Sequence, residues 1–167
     1  MALQKLRLEP LTREAFAPYG DVIEYEGRDF FHINDGMVER YHDLAKVDVY
    51  EEDGRPLVNI LRAKPNTFPI TVKFVEHHPL SSQAFIPMDD NPFVVVVAKP
   101  GDVVNPDDLR AFITNGKQGV NYHRGVWHHV LLVPHRPMQF IVVDRGGPSK
   151  NCNEFWFEES DQRLLEL

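Results

Sequence analysis

Two short stretches of the chain concentrate side chains able to bind a metal ion or to move protons. The first is PITVKFVEHHPL, residues 69–80. Side chains along a strand alternate between faces, so Ile70, Val72 and Phe74 share one face with Glu76 and His78, and Thr71, Lys73, Val75 and His77 share the other. The apolar face therefore ends in a carboxylate and an imidazole. An ionised glutamate at the mouth of a barrel is costly unless something pairs with it, and a divalent cation is one such partner. His77, on the polar face, is expected to be solvated. The second stretch, GVNYHRGVWHHVLLVP, residues 119–134, gathers His123, His128 and His129 with Tyr122 and Trp127 around Gly125. Valine and tryptophan mark a strand after a glycine turn, and imidazole serves both as metal ligand and as proton carrier near neutral pH. A regular strand turns His128 and His129 to opposite faces, so one of the two points inward.

The remaining chain reads as the scaffold that positions these groups. The 13 prolines and 10 glycines of the full chain are spread along its whole length, the punctuation of many short strands and not of a linker. Strands are expected at residues 22–25, 30–34, 38–44, 57–63, 70–78, 83–86, 93–98, 111–114, 127–133 and 140–144. FVVVVA, residues 93–98, is a core strand and too short to span a bilayer. A helix is expected over Arg13–Ala17, with Thr12 as N-cap and Leu11 and Phe16 in staple positions. A second, short one begins at Asn105-Pro106, with Asp107 and Asp108 in its first turn, and a third covers the tail from Glu158 to Leu167. Little helix and about ten strands predict an all-β chain folded as one domain over residues 1–167, with a jelly-roll barrel foremost and the short helices at its periphery.

Composition narrows the function classes. A hydrophobic share of 43% and a charged share of 26% belong to a folded soluble protein. A formal charge of −7 repels nucleic acid and anionic membranes, so neither is an expected partner. The opening MALQKLRLEPLTREAF carries no apolar signal-peptide run, and the single cysteine, Cys152, allows no internal disulfide; both set the expectation of a cytoplasmic protein. Cys152 itself, in a polar tail, is expected to be inert.

The spacing Glu76-x-His78-x4-Gln83, followed far along by Gly125-x-x-His128, resembles the two motifs of a metal-binding cupin. In that pattern Glu76 stands where the first histidine is expected and Gln83 where the glutamate is expected, while His78 and His128 match directly. The resemblance implies Glu76, His78, Gln83 and His128 as metal ligands. FAPYGDVIE, RDFFHINDGMVERYHDLA, HHPLSSQAFIPM, FVVVVA, LRAFITNGKQGVNYHRGVWHH and DRGG together resemble the ureidoglycolate lyase family of allantoin degradation, from about Leu8 to Cys152. That resemblance implies a cupin-like jelly roll, a homodimer, a divalent metal ion, nickel in the family, and cleavage of (S)-ureidoglycolate to glyoxylate and urea.

The residue chemistry is compatible with that reaction. Ureidoglycolate is a hemiaminal bearing a carboxylate, and urea leaves when the hydroxyl loses a proton and the departing nitrogen gains one. A metal chelated by carboxylate and hydroxyl oxygens would favour the first step. Two imidazoles, a carboxylate and a weak amide oxygen suit nickel, iron, manganese or zinc alike. His123 and His129 are candidates for proton transfer, with Tyr122 and Tyr41 as hydrogen-bond donors. Arg40 is a candidate fork for the substrate carboxylate, and His32, in FFHIN, a further substrate-side candidate. Other readings stay open at this point: another cupin reaction, such as an isomerase or an amidohydrolase releasing ammonia, or a non-catalytic barrel that binds a small anion.

Overall fold

The computed structural model describes residues 2–167. Two sheets form a cupin-like β-sandwich. One has six strands, in the order Asn153–Trp156, Phe74–His77, Trp127–His128, Val94–Ala98, Arg110–Ile113, Leu8–Pro10. The other has five, in the order Gly20–Ile23, Gly119–Tyr122, Gln83–Pro87, Met138–Gly146, Arg55–Ala63. Period-two alternation turns Val95, Val97 and Phe112 of the first sheet and Val22, Phe85, Val120, Tyr122, Phe140 and Val142 of the second into one shared core. A small third sheet, Gln4–Leu6, Arg163–Leu165 and Ile70–Val72, belongs with the opposite face of the six-stranded sheet, where Val94, Val96, Ala111, Trp127 and Leu165 form a second core. The strand Val94–Ala98 is therefore buried on both sides, which is why its sequence is a continuous valine run and does not alternate.

The expected helix at the start spans Arg13–Phe16, and the Thr12 hydroxyl accepts from the Ala15 amide at 3.2 Å. Leu11 and Phe16 enter the same core, as a staple requires. Asn105 caps the short turn Pro106–Asp108 in the same manner.

Four expectations need correction. The tail is not a helix: a single 3₁₀ turn, Glu159–Asp161, precedes the strand Arg163–Leu165. Pairing with strands on both sides and full burial of Leu165 override the local helical pattern. The strand expected over residues 70–78 breaks at Lys73 into Ile70–Val72 and Phe74–His77, which lie in different sheets. Because of that break Val72 and Val75 enter the same core, although an unbroken strand would part them. The strand expected over 127–133 shortens to Trp127–His128 plus an isolated bridge from Leu132 to Val94. The strand expected over 38–44 shortens to Val38–Arg40, which pairs only with Phe31–Ile33.

Gly119–Tyr122, by contrast, is a strand the alternation rule does not find, because glycine and asparagine interrupt it. Asn121 is nevertheless fully buried there, its amide donating to Asp21 Oδ2 at 3.0 Å and to the Lys46 carbonyl at 2.8 Å.

Candidate metal centre

Glu76 and His128 are direct cross-strand partners in the six-stranded sheet, and His78 follows the end of the Phe74–His77 strand. The three side chains converge so that one ligand atom from each lies within 4.8 Å of the others. Gln83 approaches from the facing five-stranded sheet, with Oε1 3.1 Å from His78 Nε2. Two residues far apart in sequence on one sheet and one on the other are thus brought to a single point by strand register. The turn that returns the chain to His128 uses Gly125 at φ +77°, and the Gly125 amide donates to the His78 carbonyl at 3.0 Å.

The two imidazoles are held in fixed tautomers by carbonyl oxygens, which only accept. His78 Nδ1 donates to the Asn151 carbonyl at 2.7 Å and His128 Nδ1 to the His129 carbonyl at 3.3 Å. In the neutral ring that placement leaves Nε2 as the lone pair. His128 is buried, and its Nε2 has no hydrogen-bond partner among the described residues. Burial, with the neighbouring His78 imidazole, pushes the His128 pKa down to about 3, so the ring is neutral. A buried acceptor left without a partner costs about 1–3 kcal/mol, and a metal ion answers that orphaned lone pair. The donor set of two imidazoles, one carboxylate and an amide oxygen fits a divalent first-row ion.

Tyr122, from the facing sheet, lies parallel on the His128 ring at 4.2 Å with an interplanar angle of 0°. Burial, and next the Glu76 carboxylate, push its hydroxyl pKa up, so it stays protonated. Cys152, expected to be inert, lies beside the cluster. Its thiol donates to Glu76 Oε2 at 3.6 Å, and burial together with Glu76 raises its pKa, which keeps it neutral beside the carboxylate.

The other sequence candidates lie elsewhere. His123 follows the inward Tyr122 and turns to the opposite side of the strand, where Nε2 meets Asp21 Oδ2 at 3.0 Å. Burial raises the Asp21 pKa, but hydrogen bonds from Asn121, the Lys46 amide and His123 outweigh it and the net shift is downward. His129 is buried 5.5 Å from the Phe74 ring and bonds the Val130 carbonyl. His77 is half-buried and not solvated, stacked on Trp127 at 3.7 Å with Nδ1 on the Gly125 carbonyl. His32, Arg40 and Tyr41 belong to the Phe31–Arg40 ribbon and the residue after it. Arg40 stands 6.0 Å from the Phe31 ring, His32 5.5 Å from Phe30, and the Tyr41 hydroxyl donates to Glu39 at 2.9 Å. Among the described residues no hydrogen bond or ring contact joins these three to Glu76, His78 or His128.

Sequence reasoning missed Asp144 and Asn151. Asp144 accepts from Gln83 Nε2 at 3.2 Å and from Asn59 Nδ2 at 3.0 Å. Asn151 orients His78 with its carbonyl while its side chain accepts from the Leu80 amide and donates to Ser81. A signal for Asp144 was present: in FIVVD it occupies the same inward parity as Phe140 and Val142. A lone carboxylate at an inward position needs a polar partner. Asn151 carries no such signal, because its principal contact is made by the backbone.

Comparison with known proteins identifies the family of the chain. The ureidoglycolate lyase family profile matches residues 3–163. A ureidoglycolate lyase of Pseudomonas paraeruginosa is 52% identical over 164 residues, covering 98% of this chain and 97% of its own. Those of Pseudomonas aeruginosa and Stutzerimonas stutzeri are 51% and 50% identical over the same length, covering 98% of this chain and 97% and 96% of their own. Among solved structures, a TDP-fucose-3,4-ketoisomerase from Campylobacter jejuni aligns over 84% of this chain and 85% of its own, with 6% identity and a TM-score of 0.40, too slight a likeness to bear on activity. The profile and the full-length identities lead to one conclusion: the chain belongs to the ureidoglycolate lyase family.

Proposed function

We propose that this protein is a carbon–nitrogen lyase that cleaves (S)-ureidoglycolate to glyoxylate and urea with the help of a divalent metal ion. The single observation that carries the metal role is the orphaned Nε2 of buried His128 beside Glu76 and His78. Glu76, His78 and His128 would hold the ion, with Gln83 Oε1 as a weaker fourth donor. Nickel is the ion the family resemblance suggests. When bound, the ion supplies Lewis acidity that lowers the pKa of the substrate hydroxyl and fixes its orientation. The chain's own residues do the rest. The inter-sheet core excludes water behind the site, and the stacked Tyr122 keeps His128 in place. The Tyr122 hydroxyl, kept protonated by burial, would donate to the departing nitrogen. In the overall step the hydroxyl proton is removed, the oxygen's electrons form the aldehyde of glyoxylate, the C–N bond breaks and the nitrogen takes a proton to become urea.

Product identity tests the reading against an amidohydrolase or an isomerase. The enzyme should release urea and glyoxylate in equal amounts with no ammonia; ammonia as the nitrogen product would overturn it. Tight binding of ureidoglycolate without turnover would instead favour a binding barrel.

A homodimer is part of the proposal. The edge strand Arg55–Ala63 is nine residues long and pairs on one side only, with Met138–Gly146. On its solvent side Val58 and Ile60 are 75% and 64% exposed, next to their partners Val143 and Ile141. A long apolar edge of this kind needs cover, and a second copy presenting the same strand antiparallel supplies it. Light scattering should show a dimer for the wild type and a monomer for Ile60→Lys. An unchanged mass for that variant would move the interface elsewhere.

No helix among the described residues is long and apolar enough to cross a membrane. We place the enzyme in the cytoplasm, with a small acidic metabolite and a second copy of itself as its partners.

A further inference from the structure

Gln83 can face its neighbours in two ways, and the hydrogen bonds around it decide between them. Its amide lies between His78 Nε2, 3.1 Å from Oε1, and Asp144 Oδ2, 3.2 Å from Nε2. A carboxylate only accepts, so the Gln83 amino group must face Asp144 and its oxygen must face His78. His78 Nδ1 lies 2.7 Å from the Asn151 carbonyl, which only accepts, so in the neutral ring the proton sits on Nδ1 and Nε2 is a lone pair as well. Two acceptors, one oxygen and one nitrogen, are thus aimed at each other from opposite sheets. Turning the Gln83 amide over would satisfy His78 at once, but it would set the amide oxygen against the Asp144 carboxylate. Asp144 is in turn fixed by Asn59, which donates to its other oxygen at 3.0 Å.

From this geometry we infer that Asp144 is a positioning residue: by fixing the orientation of Gln83, it builds the oxygen side of a cation seat between Gln83 and His78. The inference rests on the proposed metal role of the site. Asp144 makes no contact with the ion itself; it acts through Gln83, as outer-shell groups do for metal ligands. Asn59 and Asp144 hold Gln83 from the five-stranded sheet, and Asn151 holds His78 from the segment before Asn153–Trp156, so each side of the seat is fixed to its own wall of the sandwich.

The test is a double-mutant cycle read by calorimetric titration of metal-free protein with nickel, independent of turnover. Asp144→Asn is isosteric and still accepts from Asn59, but its amide gives Gln83 freedom to turn over. Affinity should fall roughly 10- to 100-fold. In a Gln83→Ala background the same substitution should change affinity by less than about threefold, because its route to the ion is gone. An equal loss in both backgrounds would show that Asp144 acts through its charge alone, and unchanged affinity in the single variant would show that it does not act; either overturns the inference. Should Asp144→Asn fold poorly by circular dichroism, the pair Gln83→Glu with Asp144→Asn carries the test. That pair conserves charge and removes the ambiguity of orientation, so it should bind at least as tightly as the wild type, and a 10-fold weaker affinity would overturn the inference. If the wild type binds no nickel at all, the metal reading fails and this inference with it. If the wild type binds one ion per chain and the cycle shows no coupling, only the inference fails.

Discussion

Replacing His128 with alanine should leave the protein without its metal ion and lower kcat for urea release by at least about 10³-fold. The ring contributes the most buried ligand of the cluster, and its Nε2 has no protein partner to fall back on. Glu76 and His78 on one sheet and Gln83 on the other remain, one imidazole short of the set. Exhaustive chelation of the wild type should reproduce the same loss, and re-addition of nickel should restore the wild type but not the variant. A ligand that binds only the folded state raises stability by mass action. Nickel should therefore raise the melting temperature of the wild type and leave that of His128→Ala unmoved. Metal analysis of protein purified without added metal provides the stoichiometry. Full activity in the chelated wild type, or a variant that keeps both its ion and its rate, would remove the metal from the mechanism.

The parts of this site that were legible in the sequence are those carried by local parity. Glu76 and His78 share a face because they are two residues apart, and the break at Lys73, five residues upstream of His78, leaves that relation intact. The separation of His128 from His129 follows from the same rule. What was not legible is pairing between distant strands. His123 looks like part of a histidine cluster in sequence, yet one residue of parity carries it to Asp21 on the other side of the strand, while Tyr122 goes inward to His128. The polar sequence neighbours of Cys152 give no sign of where it lies. The pairing of Asn153–Trp156 with Phe74–His77 brings it to Glu76, and no local pattern encodes that pairing. The tail shows the same limit at the level of the fold. RLLEL is built from good helix formers and becomes a strand because two other strands accept it. His77 is the converse case, a residue whose sequence face reads as polar but whose ring is recruited by Trp127.

Tyr122→Phe separates holding the site from using it. The phenyl ring keeps the parallel stack on His128 at 4.2 Å and the contacts with Phe16 and Phe85 in the inter-sheet core, so the fold and the seat of the ion survive. Nickel affinity should stay within about threefold of the wild type. What disappears is one hydroxyl, held protonated by burial and by the nearby Glu76 carboxylate. A positioned proton donor contributes about 10²–10⁴-fold to such a step, so kcat should fall by about that factor. KM should change little, because donation to the departing nitrogen matters most as the C–N bond breaks. Tyr122→Ala would confound the two effects by opening a cavity that costs about 3–5 kcal/mol, whereas the phenylalanine variant leaves the ring in place. An undiminished kcat would assign the donated proton to another group, and a parallel loss of nickel affinity would return Tyr122 to a purely structural role beneath His128.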